Sequence, residues 1–372
     1  MTASRRDLLK AVGAGAVAAA GEESNVLAQG AASAASGERA SEPSDTEAWL
    51  GQFEPAWRPL DPQSRAVLRI IYARLKGLPP PAQLPPGELR RINAELAFYF
   101  NAGAPALPHV ETRTINVPSG RVRVRIYDPG IAAPAPTAIL LHGGGWVMGS
   151  IDTYDGFARQ IAHRSGLRCL SVDYALAPEH PFPMPLEDCI ATVQWAASEG
   201  SALGIDAQRL AIVGDSAGAN LALAVCLALR EADNSPIRGA ALLYGAYSLD
   251  LETPSQRTYG GGPYFLGTAD MARYLNDYLP DQAARQNPLA VPMLANLTKL
   301  PPLYIAACEF DPLLNDSERL AARAKSAGVP SEFHLWKGVV HGAVSLMGWI
   351  DAMGPAVDRV GEFLRHNTRK PT

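Results

Sequence analysis

The chain has few cysteines, a small net charge and no long apolar run, and each shortage excludes a class of protein. Four cysteines in 372 residues are too few for a disulfide framework, and their spacing matches no metal-binding motif. Each falls inside a predicted strand or helix, so we expect four buried thiols. They are Cys169, Cys189, Cys226 and Cys308. The sequence therefore predicts no metal site.

Charge and hydropathy also limit the partners. A formal net charge of -4 argues against nucleic acid or an anionic membrane surface as a partner. No run reaches the roughly 18 apolar residues of a spanning helix, so we expect no stable membrane insertion. With 47% hydrophobic residues, a chain of this length can bury one large α/β core and an accessory layer.

A serine follows a short apolar run in the middle of the chain. Residues 210–213 predict a buried strand, residues 214–218 read GDSAG, and the Ala/Leu-rich residues 220–230 predict a helix. This order of strand, sharp turn and helix is the context that a G-x-S-x-G nucleophile requires. We expect a strained backbone at Ser216 and a close approach of the glycines on either side of it, at the start of a helix whose dipole favours negative charge. Ser216 is the candidate nucleophile.

A glycine run follows another predicted strand. Residues 138–141 are apolar, and residues 142–146 read HGGGW. Ligand sites in parallel sheets lie outside the carboxyl ends of the strands. We expect amides of this run, with the amide after the nucleophile, to form an oxyanion hole. The candidates are Gly143, Gly144, Gly145 and Ala217.

An acid and a base are predicted at the same sheet edge. Residues 302–308 and 331–336 predict strands, and residues 316–327 predict the helix between them. Asp311 follows the first strand and His341 opens the loop after the second. An acid in that place can hold the imidazole in the tautomer whose other nitrogen accepts the serine proton.

Other residues compete for these two roles. Glu309 and Asp316 stay open as alternatives for the acid. Seven histidines are present, but His341 is the one after Asp311 that opens a loop from a strand end. We expect His142 to brace the glycine loop by hydrogen bonds and not to act as the base.

The segment between the glycine run and the serine adds a family pattern. Residues 173–183 read DYALAPEHPFP and precede Leu186-Glu187-Asp188. Together with HGGGW, GDSAG, the DPL after Phe310 and the VHG around His341, this resembles the bacterial hormone-sensitive-lipase-like esterases, or family IV carboxylesterases. The resemblance covers about residues 110 to 366. It implies an α/β-hydrolase fold: a mostly parallel eight-stranded sheet flanked by helices, with a helical cap. It also implies a serine hydrolase that acts on small-molecule, short- to medium-chain acyl esters without a cofactor.

The chain departs from the family pattern at three positions. Ala175 stands where an arginine is usual, Ala219 replaces a glycine after GDSAG, and Ala343 replaces a phenylalanine after His-Gly. We expect Ala343 to widen the acyl or alcohol pocket. The Ala-Pro and Phe-Pro bonds of residues 173–183 are candidates for cis peptides.

Two classes of function fit this scaffold. The first is a carboxylesterase that works through an acyl-enzyme on Ser216, with an amidase or arylformamidase as its nearest chemical variant. The second is a non-catalytic ligand receptor that has lost its base. Because Ser216, Asp311 and His341 are all present, the sequence favours the enzyme.

The first 45 residues differ in composition from the rest. Ser4-Arg5-Arg6 precedes a mildly apolar run of Ala, Gly and Val, so residues 1–30 predict a twin-arginine signal peptide and residues 31–45 a flexible linker. The expected location is periplasmic or secreted.

The remaining chain divides into a cap and a catalytic part. Residues 46–108 predict an N-terminal cap segment with helices at 61–76 and 88–100. Residues 109–368 predict the α/β-hydrolase domain, which opens with a hairpin of strands 110–117 and 121–127 and carries a cap insert at 249–287. Whether aromatic and methionine side chains of the insert reach the substrate stays open, as does a homodimer. Those side chains are Tyr259, Tyr264, Phe265 and Met271.

Overall fold

Within the residues that the structure describes, eight strands form one sheet. The strands are β1 His109–Val117, β2 Gly120–Asp128, β3 Ala135–Leu141, β4 Arg168–Asp173, β5 Ile205–Asp215, β6 Ile237–Leu243, β7 Leu303–Phe310 and β8 Ser331–Val340. They lie in the order β1-β2-β4-β3-β5-β6-β7-β8. The hairpin of β1 and β2 is antiparallel, β2 pairs antiparallel with β4, and every other pair is parallel. The eight-stranded, mostly parallel sheet expected from the sequence is confirmed.

The computed structural model describes residues 45–230 and 235–370. The chain divides into two compact units, residues 1–49 and 50–372, and residues 45–49 are the described part of the first. The predicted signal peptide, residues 1–30, and the predicted linker up to residue 44 lie outside the described residues. None of the helices in the described ranges is long and apolar enough to cross a membrane.

Helices cover the sheet and precede it. In chain order they are α1 Asp45–Gly51, α2 Glu54–Trp57, α3 Pro62–Leu75, α4 Pro86–Phe100, α5 Asp155–Ser165, α6 Met184–Ser198, α7 Ala217–Leu229, α8 Pro254–Tyr259, α9 Thr268–Tyr278, α10 Leu314–Ser326 and α11 Met353–Asn367. Helix α3 begins where the sequence predicts, because the Asp61 carboxylate accepts the free N–H groups of Gln63 and Ser64.

The sheet centre is apolar on both faces. All but one residue of β3 are buried, and so are the last six residues of β5, from Leu210 to Asp215. Such continuous apolar runs are typical of parallel strands covered by helices on both sides. The four cysteines are buried and free, and burial raises the pKa of each thiol. This rigid centre holds the strand ends on which the site is built.

Helices α2 to α4 and α8 to α9, with the loops that join them, are called the cap below. Its two halves, far apart in the sequence, bond to each other. The Trp57 indole donates to the Pro263 carbonyl at 2.6 Å, and the Ala82 amide donates to the Asp270 carboxylate at 2.9 Å. The N-terminal helices and the insert therefore form one layer.

The peptide bonds before Pro178 and Pro183 are cis, as the sequence analysis expects for this loop. The bond between Ala133 and Pro134 is also cis, which no feature of the sequence had indicated.

Candidate active site

Ser216 lies in the one-residue turn between β5 and α7. Its φ of 53° and ψ of -122° put a residue with a side chain in a region that favours glycine. Such strain is held by the surrounding structure and is concentrated at functional sites. Here the Ser216 amide donates to the Leu243 carbonyl at 2.9 Å, which ties the turn to β6.

The glycines on either side of Ser216 are required by close approach. A Cβ on Gly214 would clash with the carbonyl oxygen of Gly218, and a Cβ on Gly218 would clash with the carbonyl oxygen of Leu141. Only a residue without a side chain allows these backbones to pass each other. The turn expected from the GDSAG segment is present in the structure.

Three side chains form one hydrogen-bonded chain at this strand end. Ser216 Oγ lies 2.8 Å from His341 Nε2, and His341 Nδ1 lies 2.8 Å from Asp311 Oδ2. The other oxygen of Asp311 accepts the Leu313 amide at 2.8 Å. Asp311 is fully buried, whereas 8% of Ser216 is exposed. With the carboxylate on Nδ1–H, Nε2 presents its lone pair to the serine hydroxyl, as proton transfer requires.

Neither alternative acid reaches His341. The Glu309 carboxylate accepts the amide of Gly338 at 2.8 Å. The Asp316 carboxylate accepts the amides of Tyr247 and Ser248 at 2.8 and 2.9 Å. Both carboxylates hold loops, and Asp311 is the one on the imidazole.

His142 braces the glycine loop. Its Nδ1 lies 2.8 Å from the Gly143 carbonyl, its ring stacks on Tyr174 with centroids 4.2 Å apart, and burial lowers its pKa. A neutral, fully buried imidazole with these partners fits the bracing role expected from the sequence.

The structure separates the members of the predicted oxyanion hole. The Gly143 N–H donates to Asp215 Oδ1 at 2.8 Å, so the hydrogen of this candidate donor is already shared with a buried carboxylate. No acceptor within the described residues takes the amides of Gly144, Gly145 or Ala217. Gly144 and Gly145 have φ of +117° and +61°, which turns the loop over the end of β3.

The cap lies directly on this loop. The ring of Tyr274 occupies the space that a side chain at Gly145 would need, and the Trp146 indole stacks on Tyr278 with centroids 4.5 Å apart and planes within 1°. Helix α9 therefore fixes the loop from above.

The loop that follows β8 begins with His341 and is called the histidine loop below. One of the four insert side chains singled out from the sequence reaches it. The Phe265 ring packs where a side chain at Gly342 would point, 3.0 Å from that Cβ position. Its φ of +75° is strained, and its amide donates to the Tyr72 hydroxyl at 3.4 Å. Tyr259 and Tyr264 instead pack against Phe310, and Met271 is 2% exposed.

Sequence reasoning missed Asp215, Tyr154 and Tyr244. The Tyr154 and Tyr244 hydroxyls donate to Asp215 Oδ2 at 3.0 and 3.2 Å. Burial raises the pKa of Asp215 to about 6, against the opposing effect of these hydrogen bonds. The one signal in the sequence was a carboxylate at the end of an apolar strand, beside the nucleophile.

In residues 45–230 and 235–370, no cluster of three His, Cys, Asp or Glu side chains is arranged to hold a metal ion.

Comparison with known proteins gives a consistent result. A family model described as alpha/beta hydrolase fold matches residues 138–345. Esterase LipI of Mycobacterium tuberculosis is 36% identical over 260 residues, which are 68% of this chain and 81% of that protein.

Solved esterase structures share the fold. A thermostable esterase from Pseudomonas putida superposes with a TM-score of 0.79 at 27% identity, covering 84% of this chain and 99% of that one. A hyperthermophilic esterase from Pyrobaculum calidifontis superposes with a TM-score of 0.78 at 31% identity, covering 83% and 98%. These likenesses confirm the enzyme class predicted from the sequence, a carboxylic ester hydrolase. The chain belongs to the α/β-hydrolase family, in its hormone-sensitive-lipase-like branch.

Proposed function

We propose that this protein is a carboxylesterase that hydrolyses small-molecule esters through an acyl-enzyme on Ser216. The observation that carries the proposal is the chain of 2.8 Å contacts from Ser216 Oγ through His341 to Asp311. A serine hydroxyl is a weak nucleophile at its own pKa, and it is activated by a base that a third group orients.

The reaction has two halves. In the first, Ser216 Oγ attacks the ester carbonyl while His341 Nε2 takes its proton. The tetrahedral intermediate collapses, the bond to the alcohol oxygen breaks, and His341 returns the proton to that oxygen. In the second half, His341 takes a proton from water, the hydroxide attacks the acyl carbonyl, and the Ser216 ester bond breaks. The proton goes back to Oγ, so the enzyme is regenerated and the acid is released.

The negative oxygen of each intermediate needs donors that are already in place. Gly144, Gly145 and Ala217 offer amides that have no acceptor within the described residues. Ala217 is also the first residue of α7, where the helix dipole favours negative charge. Donors fixed in advance cost no reorganisation during the reaction, and one such donor is worth about 10²- to 10³-fold in kcat.

We assign short- to medium-chain acyl esters as substrates. Family likeness supports this assignment, and so does the cap, because the rings of Tyr274 and Phe265 fill the space beside Gly145 and Gly342 in the loops of the site. Each CH₂ that enters the pocket should gain about 0.8 kcal/mol until the pocket is full. In a series of p-nitrophenyl esters, kcat/KM should therefore pass through a maximum well before palmitate, whereas a rate still rising at palmitate would indicate a lipase.

A fluorophosphonate probe and a pair of serine variants test the proposal. The wild-type protein should hydrolyse p-nitrophenyl acetate, and the probe should label Ser216, identified by peptide mass spectrometry. Ser216→Ala should lose the label and about 10³-fold or more in kcat, because the triad acts as a unit. Ser198→Ala, on the exposed side of α6, is the matched control and should keep both.

The same experiment separates the competing classes. A receptor would bind esters without being labelled, and an amidase would be labelled but would prefer the amide or formamide in a matched pair of substrates. Ser216→Ala turnover above a tenth of the wild-type value would overturn the assignment of the nucleophile.

A further inference from the structure

Asp215 carries a buried carboxylate with three neutral donors. It is 1% exposed and receives the Gly143 amide at 2.8 Å, the Tyr154 hydroxyl at 3.0 Å and the Tyr244 hydroxyl at 3.2 Å. None of these partners is an arginine or a lysine. A carboxylate without a cationic partner is costly to bury, and such groups are concentrated at functional sites.

Asp215 and two of its donors, Gly143 and Tyr244, belong to segments that meet at the site. Asp215 itself precedes Ser216, and Gly143 begins the glycine loop. Tyr244 follows β6, and its ring packs edge-on against the His341 imidazole with centroids 5.0 Å apart. The Tyr244 hydroxyl also accepts the Val344 amide at 3.3 Å, so the histidine loop is bonded to the same network.

The bond to Gly143 has a direct consequence for the next two residues. The Gly143 N–H donates to the Asp215 carboxylate, and this hydrogen bond fixes the peptide plane between His142 and Gly143, from which the chain turns into Gly144 and Gly145. Those two amides are the ones left without an acceptor in the described residues. The carboxylate of Asp215, next to the nucleophile in the sequence, thus sets the distance between the nucleophile and the amides of the glycine loop.

We propose that Asp215 is a positioning residue that holds the glycine loop and the histidine loop in register with Ser216. It acts through Gly143 on the oxyanion donors and through Tyr244 on the imidazole, and it touches no substrate. This inference rests on the proposed esterase function. Because the donors must already be in place when charge develops, loss of Asp215 should affect the transition state more than substrate binding.

The test compares Asp215→Leu, Asp215→Asn and Tyr244→Phe at pH 8 with p-nitrophenyl acetate. Asp215→Leu removes every acceptor from Gly143 and both tyrosines, and kcat should fall about 10²-fold, the cost of an error of about 1 Å in position, while KM changes less than about 3-fold. Asp215→Asn keeps one acceptor oxygen and should recover a large part of that loss. Tyr244→Phe keeps the ring on His341 but cuts its hydrogen bonds, and should lose a smaller factor in kcat, again with little change in KM.

A second readout separates positioning from general damage. A trifluoromethyl ketone forms a tetrahedral adduct with the serine and places its oxygen where the ester oxyanion would lie. Its inhibition constant should rise across the Asp215 variants by about the factor by which kcat falls. If kcat falls and the inhibition constant stays at its wild-type value, Asp215 does not hold the glycine loop, and the proposal is overturned.

Asp316→Asn is the matched control. Asp316 is also a buried carboxylate, 4% exposed, that accepts two backbone amides and one hydroxyl, but these belong to the loop at Tyr247 and Ser248. This variant should lose stability and keep the wild-type kcat per folded molecule. An equal fall in kcat at Asp316 would attribute the effect at Asp215 to destabilisation and overturn the proposal.

The remaining outcomes are also decisive. If Asp215→Leu does not fold, Asp215→Asn and Tyr244→Phe are judged by the same kcat, KM and inhibition criteria. Wild-type kcat in both overturns the inference and leaves the esterase standing. A wild-type protein that neither hydrolyses esters nor labels at Ser216 would instead refute the proposed function.

Discussion

Asp215 and Asp311 are two buried carboxylates of the same site with different tasks. Asp311 bonds the imidazole and one amide of its own loop. Asp215 bonds a backbone amide and two tyrosine hydroxyls that lie 72, 61 and 29 residues away in the sequence. The GDSAG motif by itself indicates no role for Asp215, because none of its three partners is near it in the sequence. The environment, not the residue type, decides what each carboxylate does.

Replacing Asp215 by Asn should change how stability depends on pH. Burial raises the pKa of Asp215 from its ordinary value of 3.8 to about 6, so the folded protein holds a proton that the unfolded chain has already released. The stabilising contribution of this carboxyl is therefore complete below pH 3.8 and is lost as the pH rises through 6. A shift of this size corresponds to about 3 kcal/mol.

Urea unfolding of wild type and Asp215→Asn between pH 4 and pH 8 measures this effect. The free energy of unfolding of the variant minus that of the wild type should increase with pH by about 2 to 3 kcal/mol, and level off above pH 7. The pH-independent cost of the substitution cancels in this comparison. A difference that stays constant, or that decreases with pH, would show that the pKa of Asp215 is not raised in the folded protein.

The cap helices act on the site through aromatic rings. In α9, Tyr274 lies on Gly145 and Tyr278 stacks on Trp146, so one helix face holds the glycine loop. Between α8 and α9, Phe265 lies on Gly342 and is itself held by the Tyr72 hydroxyl from α3. Ala343, where the family has phenylalanine, is fully buried, and the ring beside the histidine loop comes from the cap instead. The widening expected from Ala343 alone stays a prediction.

Phe265→Ala should shift the enzyme toward longer esters. Removing the ring opens space beside Gly342, and each additional CH₂ that enters it gains about 0.8 kcal/mol, close to 4-fold in kcat/KM. Two series, one with a lengthening acyl chain and one with a lengthening alcohol, should be measured as ratios to the shortest ester. In at least one series, the kcat/KM of the longest accepted ester relative to the shortest should be about 4-fold higher in Phe265→Ala than in the wild type.

Phe98→Ala is the control for this change, because Phe98 is a phenylalanine of α4 that is 67% exposed. Its two series should follow the wild type. Unchanged ratios in both series for Phe265→Ala would remove Phe265 from the pocket wall.

Export concerns the whole molecule and depends on residues that the structure does not describe. The sequence predicts transport of the folded protein through the twin-arginine route, and four buried thiols without disulfides are compatible with folding before export. A homodimer likewise stays a prediction.

Replacing Arg5 and Arg6 together by Lys should leave active precursor in the cytoplasm of a host with a twin-arginine system. The expected block comes from the guanidinium groups, since lysine keeps the charge but not their planar donor geometry. Esterase activity in periplasmic and cytoplasmic fractions measures it, with a periplasmic marker enzyme as the fractionation control. Normal periplasmic activity of the double variant would refute the twin-arginine route and leave the esterase proposal unaffected.

The sheet, its helices and the order of the candidate residues could be predicted because their signals are local. An apolar run predicts a buried strand, and the two glycines of GDSAG indicate a turn at Ser216 in which backbones approach too closely for a side chain. The strand ends that carry Asp311 and His341 follow from alternating strands and helices, because parallel strands end at one sheet edge.

The hydrogen-bond partners inside the site could not be predicted, because they join distant segments. Which amides of the glycine loop remain free depends on Asp215 accepting the hydrogen bond of the Gly143 N–H, and that pairing exists only when β3 and β5 lie side by side. The contacts of Phe265 and Tyr274 depend likewise on how the cap packs over the sheet edge. A sequence pattern indicates which groups are available, whereas the folded chain brings each donor to its acceptor and thereby leaves other donors free for a substrate.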